Sequence, residues 1–236
     1  RLKEDPGLYV SSLNNLLSFL AYQKKHDAAF ELITKAKTIY DGLAIKSENK
    51  GLLKQILRTY NIELEIIRKE KSFEKHSNFI LQTSDFVERY QFKMPVDYLH
   101  SFWFQLASIH FSKKDYGKAL SWVNKLLNTR AKDPRVDLQI SARILNLMIH
   151  LERQNLFVLR YFVDSAKRYL KKQKRVQEHH QVLLRFFIKM GHLPLLEYKD
   201  AFRKLKGQLF PEEKPSLIPD EQFQAIDYQQ WILERM

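Results

Sequence analysis

Apolar residues recur at intervals of three and four positions along almost the whole chain of 236 residues. Two clear examples are the stripes Leu13, Leu16, Leu17, Leu20 and Leu53, Ile56, Leu57, Tyr60, Leu64, Ile67. No stretch of strand length alternates strictly between apolar and polar residues. This spacing is typical of amphipathic α-helices, and it predicts an all-α protein.

Polar pairs, prolines and glycines interrupt the stripes and set the bounds of the predicted helices. The pattern predicts eleven helices, at 8–23, 26–46, 49–70, 73–91, 95–113, 116–130, 134–153, 156–173, 176–190, 194–208 and 220–235. The connections are short, such as Lys24-Lys25 and Lys114-Asp115. Because short connections make neighbouring helices antiparallel, we expect a series of helical hairpins.

The hairpins share a weak internal repeat. HDAAFELITKAK (26–37) matches DYGKALSWVNKL (115–126), and SFEKHSNFILQT (72–83) fits the same frame. One slot of this frame holds, in chain order, Ala29, His76, Ala119, Leu159 and Ala201, at intervals of 47, 43, 40 and 42 residues. A quasi-period in the forties with two helices per unit is typical of an α-solenoid. We therefore expect an α-α superhelix of about five antiparallel hairpins.

Residues 100–127, HSFWFQLASIHFSKKDYGKALSWVNKLL, resemble the tetratricopeptide repeat family. The matching positions are Trp103, Leu106 and Ala107 in the first helix and Tyr116, Ala119, Val123 and Leu126 in the second. The first hairpin carries Ala29, Ile33 and Ala36 at the same offsets. The units are longer than the family's 34 residues, as in divergent bacterial repeat arrays. The resemblance implies a right-handed superhelix and a protein-binding role.

The predicted organisation has three parts. Residues 1–210 form the tetratricopeptide-like repeat domain, and 211–219 form an extended linker that holds three prolines. Residues 220–236 form a helix with Ala225, Tyr228, Trp231 and Ile232 near one face. Solenoids need a terminal cap, so we expect this helix to fold back on the array. The alternative is a docking helix for a partner.

The net charge of +13 is concentrated in one stretch. Residues 160–206 carry 13 bases and 4 acids, which leaves +9 of the total there. This concentration indicates either an acidic partner or nucleic acid, or else solvated helix faces. No apolar run reaches the roughly 20 residues that span a bilayer, so we expect no membrane span and a cytoplasmic protein. The chain begins at Arg1, which leaves open an effector domain upstream.

No catalytic motif is present, and we expect a protein that is not an enzyme. The chain has no cysteine and 6 glycines, which excludes a Cys nucleophile and argues against a phosphate-cradling loop. His179 and His180 are adjacent, and neighbouring positions on a helix point about 100° apart. A shared metal ion is therefore not expected. We expect no cofactor.

In the family that the chain resembles, the first helix of each unit lines a concave groove that takes a peptide. Carried over by position, the partner-binding candidates are Asn14, Ser18, Arg58, Asn61, Glu65, Phe104, Ser108 and Arg143. Phe104 and Ser108 stand where the family's carboxylate clamp needs other residue types, so clamp binding is not expected. We expect a non-catalytic scaffold that binds a peptide or helix in this groove. The alternatives are a basic nucleic-acid-binding array, or the sensor half of a larger regulator.

Overall fold

The computed structural model describes residues 6–44, 50–129, 135–213, 215–218 and 226–236. These residues contain no strand, which confirms the predicted all-α class. The α-helices are α1 (Pro6–Tyr22), α2 (His26–Ala44), α3 (Lys50–Glu70), α4 (Ser77–Tyr90), α5 (Val96–Ser112), α6 (Tyr116–Leu127), α7 (Val136–Glu152), α8 (Leu159–Lys172), α9 (Glu178–Met190), α10 (Tyr198–Leu209) and α11 (Tyr228–Leu233). Single 3-10 turns form at Gln91–Lys93, Leu156–Val158 and Leu195–Glu197.

Several helices are shorter than predicted. Helix α4 begins at Ser77, after a run of turns, and α11 begins at Tyr228. The carboxylate of Asp227 accepts a hydrogen bond from the backbone N–H of Gln230 at 2.9 Å. Such an N-cap fixes the start of a helix, because its own backbone lies outside the helical region. Residues 219–225, which include Ala225 of the predicted apolar face, lie outside the described part of the chain.

The chain folds as two compact units, Arg1–Lys113 and Lys114–Met236. In unit 1, α1, α3 and α5 lie side by side, α2 packs on α1 and α3, and α4 packs on α5. Helix α2 runs antiparallel to α3, since His26 meets Glu70 at 2.6 Å and Lys37 meets Glu63 at 2.7 Å. The Phe79 ring of α4 lies 5.8 Å from the Tyr60 ring of α3, so the helices of unit 1 contact their neighbours in the sequence, as in a helical repeat.

One core cluster of unit 1 lies between α1, α2 and α3. It contains the buried residues Leu17, Ala29, Ile33, Ile62 and Ile66. Ala29 occupies the predicted slot and is fully buried. A small side chain there lets the backbones of the helices approach closely. The next residue in the slot, His76, stacks on Phe30 with the two ring centroids 4.6 Å apart.

In unit 2, α7 packs on α6, α8 and α9, and each later helix packs on the one before it. Helix α11 packs on α10 through an aromatic cluster. Trp231 lies 5.1 Å from Phe202 and 6.1 Å from Phe187, measured between ring centroids. The C-terminal end therefore covers apolar surface of its own unit. The segment before it also folds back, because the backbone N–H of Leu217 donates to the Leu209 carbonyl at 2.9 Å.

Turn geometry supports the repeat frame. Four of the five described residues with positive φ follow the frame: Lys24, Lys71, Lys114 and Gln154, with values of 55°, 57°, 61° and 54°. Each of these residues precedes a slot residue by five positions, so the turns recur at the predicted intervals of 47, 43 and 40 residues. Such a residue closes a helix by returning N–H groups to its last carbonyls, as Gln154 does to Leu151 at 3.0 Å and the following Asn155 to His150 at 2.9 Å.

The fifth repeat follows a different register from the predicted one. A 3-10 turn leads directly into α8 and again into α10, and the two junctions are 39 residues apart. Tyr198, rather than Ala201, therefore corresponds to Leu159. The buried positions agree, since Val163 and Leu170 of α8 match Phe202 and Leu209 of α10. The predicted interval of 42 residues between Leu159 and Ala201 was wrong. It depended on the match of one alanine to the slot, whereas the turn and the buried face of the helix set the register.

Replacing Lys174 by glycine is expected to stabilise the protein by about 0.5–1 kcal/mol. Lys174 is exposed, has φ of 51° and closes α8. A left-handed backbone strains any side chain with a Cβ, and glycine removes that strain while adding some entropy to the unfolded chain. The matched control is Lys172→Gly, two positions earlier and within α8, where glycine should destabilise by up to about 1 kcal/mol. Urea denaturation measures both, and two changes of the same sign would contradict the interpretation.

Candidate functional site

The predicted partner-binding residues of unit 1 begin with a helix-to-helix contact. Asn14 is fully buried. Its side-chain nitrogen donates to the Gln55 carbonyl at 2.8 Å, and the Thr59 hydroxyl donates to its oxygen at 2.7 Å. Asn14 therefore ties α1 to α3 and is not accessible to a partner, which corrects its assignment to a groove surface.

Ser18 and Arg58 meet at the exposed edge of the same helix pair. The Arg58 guanidinium donates to the Ser18 hydroxyl at 3.2 Å and to the Asn15 side-chain oxygen at 3.1 Å. Ser18 and Arg58 are half-buried and Asn15 is exposed. The structure thus brings two predicted residues together and adds Asn15, which the sequence analysis missed.

Asn61 and Glu65 continue this surface along α3. The Ser101 hydroxyl of α5 donates to the Asn61 side-chain oxygen at 2.7 Å. Glu65 forms an ion pair with Lys69 at 2.7 Å, one turn further on. Positions 58, 61 and 65 share one helix face because they follow the helical period. Both predicted residues are half-buried, and the side-chain nitrogen of Asn61 is inaccessible.

Three of the predicted residues do not belong to this surface. Phe104 is 3% exposed and Ser108 is 6% exposed. Both lie on α5, where ten of seventeen residues are buried. A place on the first helix of a repeat unit therefore did not imply an accessible side chain. Arg143 lies in unit 2, where it bonds Gln139 at 2.6 Å and stacks on the Tyr169 ring at 3.6 Å. Its planar group packs α7 against α8.

Helix α1 exposes large apolar side chains that were not among the predicted partner-binding residues. The exposed fractions are 66% for Leu8, 47% for Leu16, 56% for Phe19 and 53% for Tyr22. Phe19 follows Asn15 by one helical turn, so it lies beside the Arg58 contact. We call Asn15, Ser18, Phe19, Arg58 and Asn61 the α1–α3 face. The sequence did indicate these exposed residues through the width of the apolar stripe on α1. The stripe is wider than a helix needs when only one side faces the core.

The basic stretch of unit 2 is exposed and largely unpaired. Among the described residues, none of the bases of α8 and α9 forms an ion pair; these bases are Arg160, Lys167, Arg168, Lys171, Lys172, Arg185 and Lys189. Further along, Arg203 pairs with Asp200 at 2.6 Å. The surface of α8 and α9 therefore carries uncompensated positive charge.

His179 and His180 lie closer together than their separation around the helix suggests, with ring centroids 4.0 Å apart. The His180 ring turns back to the start of α9, where its Nδ1 accepts from the Gln177 backbone N–H at 3.3 Å. Burial lowers the pKa of His179, and burial with the neighbouring His179 lowers the pKa of His180 to about 4. Both rings are neutral structural groups. The described residues include no cluster of three or more His, Asp or Glu suited to a metal ion.

The described part of the chain is an all-α array of helices packed on their sequence neighbours, with a half-buried polar face in one unit and unpaired bases in the other. No protein-family model matches the chain, and no curated protein or solved structure matches it significantly. Membership of the tetratricopeptide family therefore stays a prediction. Within the described ranges, no helix is long and apolar enough to cross a membrane.

Proposed function

We propose that the chain is a non-catalytic scaffold of tetratricopeptide-like type that binds a peptide or helix of a partner protein on the α1–α3 face. The observation that carries the proposal is the contact of Arg58 with Ser18 and Asn15 at 3.2 and 3.1 Å, next to the exposed Phe19 ring. Side chains already held in place lose little entropy when a partner binds, which favours recognition.

The chemistry of this face defines the kind of partner. Phe19 and Tyr22 lie one turn apart on α1 and offer apolar anchors of the type that receive an amphipathic helix. Arg58 offers a planar cation that pairs well with a carboxylate. The proposed partner is therefore a helical segment with apolar residues on one side and an acidic residue beside them.

Replacing Phe19 by serine is expected to weaken binding of such a segment at least about tenfold. This factor corresponds to a loss of roughly 1.4 kcal/mol or more of binding free energy, which is what an exposed aromatic anchor contributes. Peptides would be selected from a displayed random library against the whole chain and measured by fluorescence anisotropy. The matched control is Leu81→Ser, since Leu81 of α4 is similarly exposed at 60%. Selected peptides that lose affinity equally for both variants, or acidic amphipathic peptides that are never enriched, would contradict the proposal.

Nucleic-acid binding is the second candidate, because the bases of α8 and α9 are unpaired in the described structure. Contacts with phosphates would give an affinity that falls steeply with salt. Affinity capture from cells at low and moderate salt, with and without nuclease, separates the two candidates. A bound protein that survives nuclease and moderate salt supports the scaffold, and complete loss after nuclease supports the alternative.

A further inference from the structure

Two turns of unit 2 present large apolar side chains almost fully to solvent. The central residue of the 3-10 turn Leu156–Val158 is Phe157, which is 97% exposed, and that of Leu195–Glu197 is Leu196, which is 95% exposed. Leu195 and Tyr161 beside them are 67% and 66% exposed. The two turns correspond in the repeat register, so successive repeats place an exposed apolar residue at the same position.

The two turns lie at the same end of α9. A Cβ placed on Gly191 would lie 3.8 Å from the Leu156 carbonyl oxygen. The Tyr198 hydroxyl, next to the second turn, donates to the carbonyl of Met190, the residue before Gly191, at 3.3 Å. Both turns therefore lie at the C-terminal end of α9, and both present apolar side chains to solvent. We call Phe157, Tyr161, Leu195 and Leu196 the unit 2 tip.

Positive charge accompanies the unit 2 tip. A base follows the central apolar residue by three positions in both turns, as Arg160 after Phe157 and Lys199 after Leu196. Both bases are exposed, and neither forms an ion pair within the described residues. Arg153 and Lys189 add exposed positive charge at the adjoining ends of α7 and α9, and Glu197 is the exposed acid of the second turn. The tip thus combines protruding apolar side chains with a net positive surround.

We propose that the unit 2 tip binds the surface of an anionic phospholipid membrane. Protruding side chains on turns fit a soft, flat medium, because each can enter the boundary between headgroups and acyl chains without a complementary cavity. The exposed bases would lie at the level of the headgroups and attract their negative charge. The inference goes beyond the α1–α3 face and does not depend on it.

The test is co-sedimentation of the whole chain with phosphatidylcholine vesicles made with and without phosphatidylserine. We expect binding to the vesicles that contain phosphatidylserine, and at least about a tenfold lower partition coefficient for the double variant Phe157→Ser, Leu196→Ser. The matched control is Phe92→Ser. Phe92 is 94% exposed at the centre of the turn Gln91–Lys93, but that turn lies in unit 1 and connects α4 to α5. A second double variant, Arg160→Glu with Lys199→Glu, is expected to abolish the preference for phosphatidylserine.

Three outcomes would overturn the proposal. Absence of binding to either kind of vesicle would show that the tip is not a membrane-binding surface. Unchanged binding of the Phe157 and Leu196 double variant would show that charge alone brings the chain to the surface. An equal loss in the Phe92 variant would show that any exposed aromatic ring suffices. The replaced side chains are almost fully exposed, so unchanged thermal unfolding is expected and verifies that the variants are folded.

Discussion

Replacing Trp231 by alanine is expected to destabilise unit 2 by about 3–5 kcal/mol. Trp231 is 4% exposed and packs among Phe186, Phe187 and Phe202. Alanine would leave a cavity between α9, α10 and α11. Because α11 has only six residues, it has little helical stability of its own and depends on this contact.

Polar contacts of the same tryptophan increase the expected loss. Its indole N–H donates to the Glu152 carboxylate at 2.8 Å, which also accepts from the Arg235 guanidinium. The Tyr116 hydroxyl donates to this carboxylate at 3.2 Å. Burial and the adjacent Glu152 raise the pKa of Tyr116 to about 12, so the phenol stays a donor at neutral pH. If α11 detached, the 8% exposed side chain of Glu152 would lose its only ion pair within the described residues.

Chemical denaturation followed by far-ultraviolet circular dichroism measures the effect without relying on tryptophan emission. The matched control is Leu233→Ala on the same helix. Leu233 is 44% exposed, so its loss should cost less than about 1 kcal/mol. A small effect of Trp231→Ala, equal to that of the control, would contradict a packed C-terminal cap.

Acidification from pH 7 to pH 4 is expected to remove roughly 2 kcal/mol of stability through His180 alone, after allowance for solvent screening. Burial, followed by the neighbouring His179, lowers the pKa of His180 from 6.5 to about 4. The folded protein then binds fewer protons than the unfolded chain in this range. The contribution is therefore complete above pH 6.5, and it is lost as the pH falls from there towards 4.

The His180 ring is held in its buried position by the hydrogen bond that its Nδ1 accepts from the Gln177 N–H. Protonation of Nδ1 would remove this acceptor and leave a charge in a site that is 7% exposed. Burial also lowers the pKa of His76, His150 and His179, so these groups act in the same direction. Unfolding free energies of the wild type, His180→Gln and the exposed control His192→Gln, measured at each pH, check the prediction. A wild-type slope between pH 7 and 4 that persists unchanged in His180→Gln would contradict it.

The repeat frame could be predicted because it depends on local features. Ala29 and Ala119 mark a slot that also holds His76 and Leu159, and the polar turns before these residues end the preceding helices. The left-handed turn residues Lys24, Lys71 and Lys114 follow the same register. The last repeat could not be placed in this way, since Ala201 fits the alanine pattern whereas the turn geometry selects Tyr198.

The candidate site was predicted less well, and the reason is visible in individual residues. Asn14 and Ser18 are one turn apart on α1, yet the first is fully buried against α3 and the second reaches the surface. Phe19 and Leu17 are both apolar, yet only Leu17 enters the core. Helical periodicity tells which side chains share a face. It does not tell which face a neighbouring helix covers.

The sequence by itself determined the all-α class, the positions of most helices and the approximate repeat. These properties depend on interactions within one or two helical turns, which the order of residues specifies directly. Only the tertiary structure decided that Asn14, Phe104 and Ser108 are buried, that Arg58 meets Ser18 and Asn15, and that Phe157 and Leu196 protrude. Those outcomes depend on contacts between segments about 40 residues apart, because packing between helices sets which side chains water can reach.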